Sequence, residues 1–152
     1  MNFDELRLAI EPIRDEYSYI IIDCPPNLLH FTKNALLASD YVVIPMPPEP
    51  LAYYGTEQFI DFILPEIWRH NNNIRLGGVL LIHNSPRKHM PKLIRDKLDE
   101  QGDIRFQTEV HKDQTLAKMA TYHEPICIRS KACQGSKEFH EVTREFTVRV
   151  PS

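Results

Sequence analysis

Glycine is scarce in this sequence: 152 residues hold five, Gly55, Gly77, Gly78, Gly102 and Gly135. None builds the G-x-x-x-x-G-K-[ST] loop whose backbone N–H groups cradle a triphosphate. The nearest approach, Gly135-Ser136-Lys137, lacks the preceding glycine and does not follow a strand-like run. Cysteine is scarce too. Cys24, Cys127 and Cys133 are odd in number and form no C-x-x-C pair, which argues against a disulfide framework and a zinc ribbon and points to a reducing cytoplasm. The seven histidines include no H-E-x-x-H or H-x-E arrangement, so no histidine metal site is expected. No apolar run approaches the ~20 residues that span a bilayer. The opening Met-Asn-Phe-Asp-Glu is acidic where a secretory leader is basic.

What remains, 42% apolar and 26% charged residues, is the composition of an ordinary globular protein. The length suits a single domain over 1–152 that buries roughly 70% of its unfolded surface. Charge is uneven: residues 1–66 carry three basic and eleven acidic side chains, residues 67–152 fifteen and ten. That asymmetry is compatible with a basic face for a polyanion.

The chain is organised around residues 17–26, Tyr-Ser-Tyr-Ile-Ile-Ile-Asp-Cys-Pro-Pro. The β-branched run Ile20, Ile21, Ile22 suits a strand over 19–23 buried on both faces. Asp23 then falls at its carboxyl end, where open α/β sheets bind ligands, and Pro25 and Pro26 end the ladder. Asp23 equally suits a strand-end carboxylate capping the next turn. Ahead of this run, Phe3, Leu6, Ile10 and Ile13 predict an amphipathic helix over 3–16, kinked or shortened by Pro12.

A helix over 32–39 and a strand over 41–44 that stops at Pro45 would complete a right-handed βαβ unit. Four prolines in residues 45–50 predict a stiff, extended loop without regular structure. A long helix over 53–70 follows, interrupted at Pro65, with Phe59, Phe62, Ile63, Ile67 and Trp68 read as core. Asn71, Asn72 and Asn73 predict a turn and residues 77–83 a third buried strand, with 84–88 as its exit loop. Residues 90–100 read as a helix with an Arg95–Asp99 pair outside and Gly102 as its cap. Short strands at 106–110 and 126–128 and helices at 114–121 and 136–147 complete an α/β parallel-sheet pattern.

Residues 17–26, Asn34-Ala-Leu-Leu-Ala-Ser-Asp40 leading into Val42-Val-Ile-Pro45, Pro48-Glu-Pro-Leu-Ala52 with Gly55, Gly78-Val-Leu-Leu81, and Leu116 followed by Tyr122 and Pro125-Ile126 match one family in order and near-family spacing. Across almost the whole chain the sequence resembles the C-terminal portion of the ParA/Soj-type partition ATPases, in the wider MinD group of deviant Walker P-loop proteins. The resemblance implies a three-layer, parallel-sheet P-loop NTPase-like fold, N-terminally truncated here, with the P-loop strand and its helix absent. A sheet deprived of that strand is expected to pair with another polypeptide, self-associate or repack.

The resemblance further implies an ATP- and magnesium-dependent dimer that binds DNA without reading sequence, is stimulated by a ParB-like protein, and positions plasmids or chromosomes. In it Asp23 matches the Walker B carboxylate, the catalytic and magnesium-side residue. Asp23, Pro25, Pro48, Glu49 and Asn84 fall on the nucleotide side, Asn84 equally as an ordinary turn residue. Arg87 and Lys112 fall where the family grips DNA backbone, and Lys88, Lys92 and Lys118 extend that patch, or all five are solvated surface charges. Two departures stand out: His111 replaces the family's proline and His123 its glycine. The expectation is a cytoplasmic, nucleoid-associated partition protein in which this chain alone does not hydrolyse ATP, its partner being a second copy or a chain that supplies the P-loop half. The alternative is a non-enzymatic DNA-binding or partner-binding module on the same scaffold.

Overall fold

The computed structural model describes residues 4–25, 30–84 and 89–151, with backbone alone at 84, 89–91, 117 and 120. Its elements in order are α1 (Glu5–Ile10), a 3-10 helix (Glu11–Glu16), α2 (His30–Ala38), β1 (Tyr41–Met46), α3 (Pro50–Gln58), a π-helical turn (Phe59–Ile63), α4 (Leu64–Trp68), β2 (Arg75–Asn84), α5 (His89–Glu100), β3 (Val110–His111), α6 (Gln114–Tyr122), α7 (Ile126–Arg129) and α8 (Gln134–Arg149). They form two compact units, one of Met1–Val42 with Gln58–Leu76, the other of Val43–Glu57 with Gly77–Pro151. Among the described residues no helix is long and apolar enough to cross a membrane.

In the first unit, α1 stops where the sequence expects a break, because Pro12 has no N–H to give and is tolerated only in the opening turn of the 3-10 helix. Arg14 on that helix donates from Nη2 to both carboxylate oxygens of Asp40, at 3.0 and 2.8 Å. The core gathers Leu36, Leu64, Ile67 and Ile74, with Phe59 and Ile63 against them. Asn71 ties the following turn back to α2, donating from Nδ2 to the carbonyls of Leu36 and Ser39 at 3.1 and 2.8 Å and satisfying orphaned acceptors at that helix's end.

In the second unit the sheet order is β1-β2-β3. β2 and β3 are parallel, with Ile82 opposite Val110 and Asn84 opposite His111, and an isolated parallel bridge joins Val79 to Arg105. Val79 and Leu81 are fully buried, as an unbroken apolar run in a central strand requires. Gly78 adopts φ +143°, and a Cβ there would lie 2.8 Å from Cε2 of the buried Phe106 ring. Gly102 at φ +98° closes α5 as expected.

Several expectations are corrected. Residues 19–23 form no strand: Ile21 is 83% exposed, because β-branched residues make a buried strand only when neighbours supply its ladder and cover both faces, and no described segment does so. The βαβ unit that this strand was to open is therefore not formed by the described residues. β1 runs through Pro45 to Met46; it is an edge strand, where a missing N–H is tolerated. Only residues 47–49 are left as loop, since Pro50 opens α3 at the position where a helix accepts proline.

Pro65 does not break its helix, which widens into the π turn just before it, Leu64 N–H donating to the Phe59 carbonyl. Phe62 and Trp68 are exposed rather than core. Arg95 pairs with Glu109 and Asp99 with Arg105, because the buried charges of Glu109 and Arg105 need a partner more than a solvent-facing pair along α5 does. Residues 126–128 start the one-turn helix α7 from Pro125, as a three-residue apolar run specifies no period.

Candidate functional site

In the first unit, Ile22, Asp23, Cys24 and Pro25 line a cavity of about 420 Å³ together with Glu5 and Leu6 from α1 and His30, Phe31, Asn34 and Ala35 from α2. α1 presents Glu5 in its first turn, where the helix dipole favours a carboxylate. On α2, Asn34 donates from Nδ2 to the His30 carbonyl at 3.1 Å, and its buried Oδ1 has no hydrogen-bond partner among the described residues. Burial and the neighbouring Asp23 charge together push the Cys24 thiol up, so it stays protonated at neutral pH.

This wall was tested against the groups that the resemblance implies. An exposed carboxylate at Asp23 fits a magnesium ion held through water. The described wall does not fit a triphosphate. Among the described residues, the ten that line it include two carboxylates and neither lysine nor arginine to take the phosphate charge.

The second unit holds the other nucleotide-side candidates. Pro48 is buried and Glu49 exposed between β1 and α3. Glu49 N–H donates to the Pro47 carbonyl at 2.8 Å, and its own carbonyl accepts from Tyr53 N–H at 2.9 Å, so the Glu49 backbone sets the first turn of α3. Asn84 and His111 stand opposite each other at the carboxyl ends of β2 and β3, the edge where α/β sheets bind ligands. The Asn84 side chain, and Arg87 and Lys88 altogether, lie outside the described residues. Lys92 on α5, Lys112 just after β3 and Lys118 on α6 are all exposed and form no ion pair among the described residues.

Both departures have a local cause. His111 gives its backbone N–H to Glu138 Oε2 at 2.9 Å and brings Nδ1 to Glu138 Oε1 at 2.7 Å, neither of which proline can do to the same effect. Gln134 Nε2 adds a third contact to this carboxylate at 2.9 Å. His123 ends α6 in the left-handed region at φ 52°, the conformation for which glycine is the usual choice.

Sequence reasoning passed over Asn34, Asp113 and Glu138. Asp113 had a readable signal, being an N-cap residue directly before α6; its carboxylate accepts from the N–H of Thr115 at 2.6 Å and of Gly135 at 3.2 Å. Glu138 and Asn34 had none beyond their helical setting.

A family model described as "AAA domain" matches residues 2–76. The chain is 33% identical over 139 residues to the chromosome partitioning protein ParA of Myxococcus xanthus, covering 86% of this chain and 47% of that one. It is 30% identical over 148 residues to the sporulation initiation inhibitor protein Soj of Bacillus subtilis, covering 92% and 56%. This chain belongs to the ParA/Soj-type family. It spans about half the length of these relatives.

Among solved structures, the cell division ATPase MinD of Pyrococcus furiosus superposes with a TM-score of 0.78 at 17% identity, over 97% of this chain and 59% of that one. Cobyrinic acid a,c-diamide synthase of Mycobacterium smegmatis, with bound ADP and magnesium, gives 0.67 at 21% identity, over 91% and 50%. The ParA/Soj-type chain thus has the P-loop NTPase-like α/β fold.

Proposed function

We propose that this chain carries the magnesium-side half of a ParA-like partition or positioning ATPase, and that hydrolysis requires a glycine-rich loop from outside these 152 residues. The observation that carries the reading is Asp23, an exposed carboxylate on the wall of the cavity in the first unit. Its relatives' names, which include chromosome partitioning, support the process, and the magnesium–ADP complex of a structural neighbour supports the cofactors. Asp23 takes the metal side, while Pro25, Pro48, Glu49 and Asn84 shape the nucleotide side. The phosphates are held by the second polypeptide, because the described lining of this cavity supplies neither lysine nor arginine for them. In this reading the working assembly is a dimer on DNA, answering to a ParB-like stimulating protein in the cytoplasm.

Nonspecific duplex binding is assigned to Lys92, Lys112 and Lys118, with Arg87 and Lys88 beside them in sequence. Each lysine that neutralises a phosphate releases a counterion and adds roughly 0.9 to the slope of log affinity against log salt. The test has two arms. Magnesium-ATP turnover is measured for the chain alone and after mixing with a polypeptide that carries a ParA-type glycine-rich loop. The expected result is no turnover alone and turnover in the mixture, abolished by Asp23→Asn. Hydrolysis by the chain alone would overturn the reading.

The lack of lysine and arginine among the described lining residues also favours a second reading, a DNA-binding module without hydrolysis. It predicts salt-sensitive duplex binding without nucleotide, weakened uniformly across sequences by Lys112→Ala.

A further inference from the structure

The imidazole of His111 is held at one nitrogen and open at the other. Glu138, 3% exposed, turns its two oxygens to three donors: the backbone N–H of His111, His111 Nδ1 and Gln134 Nε2. A buried carboxylate needs donors on its oxygens, so Nδ1 carries the hydrogen. Among the described residues His111 is also the one ionisable group paired with Glu138. The second ring nitrogen, Nε2, has no hydrogen-bond partner among the described residues, and the side chain is 37% exposed. Neutral His111 therefore shows solvent a bare lone pair. Protonated, it shows an N–H on a cationic ring.

We propose that His111 is a protonation-gated contact for the phosphate backbone of duplex DNA, gripping it as the imidazolium and releasing it as the neutral ring. The proposal rests on the assignment of duplex binding to the neighbouring lysines. His111 directly precedes Lys112 at the carboxyl end of β3, and Lys112 is exposed. Duplex DNA carries a negative charge about every 1.7 Å of its axis, so a backbone lying on Lys112 brings further phosphates to its chain neighbour. The bare lone pair of neutral Nε2 repels a phosphate oxygen, whereas Nε2–H of the imidazolium donates a charge-assisted hydrogen bond. Glu138 decides which nitrogen makes the contact and is a positioning residue. On α8 it is flanked by Lys137 and Glu141, both exposed. Asp113, two residues after His111, spends its oxygens on the N–H groups of Thr115 and Gly135. On β2 the titratable neighbour is His83, exposed at the irregularity between Ile82 and Asn84.

The test is fluorescence anisotropy of a random-sequence duplex, titrated with salt at about pH 5.5 and about pH 8, which bracket the charge change of an ordinary histidine. The nucleotide-free chain is compared with His111→Gln and His83→Gln, with far-UV circular dichroism checking each fold. In the parent the slope of log affinity against log salt is expected to steepen by roughly 0.9 at the acid pH, the share of one phosphate contact. His111→Gln should give one slope at both pH values, and His83→Gln the parent's difference. Imidazole nitrogen NMR of the parent at the higher pH should find the His111 hydrogen on Nδ1. A parent slope that ignores pH, a difference that persists in His111→Gln or disappears in His83→Gln, or a hydrogen on Nε2 would each overturn the proposal. A chain that binds no duplex at either pH overturns the lysine assignment as well, whereas duplex binding with a pH-independent slope overturns this proposal alone.

Discussion

Glu138 on α8 takes both donors of His111 on β3, the backbone N–H at 2.9 Å and the ring Nδ1 at 2.7 Å, with its own side chain almost fully buried. One carboxylate thereby joins the last helix to the carboxyl end of the sheet. Removing it leaves a strand N–H without its acceptor. Glu138→Ala is expected to lower stability by about 1–3 kcal/mol in urea unfolding, and Glu138→Gln, which keeps one acceptor oxygen, by less.

Asp113 gives stability a definite acid limb. The N–H of Thr115, then that of Gly135 and further donors, outweigh burial and hold its carboxyl below the ordinary aspartate range. Because the folded value lies below the unfolded one, the contribution is complete above about pH 3.9 and fades as pH falls through the folded value. Asp113→Asn keeps a capping acceptor and loses the titration. Unfolding curves recorded from neutral to acid pH should therefore flatten in the variant, which is less stable than the parent near pH 7 and approaches it in acid.

Gly78 tests how tightly β2 is packed. At φ +143°, with the Phe106 ring 2.8 Å from where a Cβ would stand, Gly78→Ala meets both backbone strain and a fully buried neighbour. A loss of about 1–3 kcal/mol is expected from overpacking, with the positive φ adding to it. A melting temperature equal to the parent's would contradict this packing.

The helical stretch over 59–68 separates core from surface within a few residues. Ile67→Ala removes a side chain from the Leu36–Leu64–Ile74 cluster and should cost about 2–5 kcal/mol. Phe62→Ala, at a position 71% exposed, should stay within about 0.5 kcal/mol of the parent. Thermal unfolding of the two variants side by side checks the contrast.

The helices were readable where a local signal sufficed. α5 follows from Ile94 and Leu98 on one face and from Gly102 at its end, and β2 from an unbroken apolar run. Tertiary placement was not readable. The run Ile20 to Ile22 specifies a strand by propensity, but propensity supplies no neighbour, and Ile21 remains in solvent. Arg95 has Asp99 one helical turn away and still forks onto Glu109, a partner fourteen residues on. At the candidate site Asp23 was legible through its matched surroundings, whereas Asn34 reads as one more helical residue until α2 turns it into the cavity wall.

The π turn at Phe59–Ile63 absorbs one residue within a continuous helix. It accommodates one residue more than an α turn, so every side chain after it is rephased by ~100° from an uninterrupted helix of the same sequence. Deleting a single residue between Phe59 and Ile63 would let the helix close as a regular α turn with Leu64 and Ile67 still facing Leu36 and Ile74. Adding one would swing them away, so this stretch tolerates shortening by one residue but not lengthening, an asymmetry set by the hydrogen bond between Leu64 and Phe59.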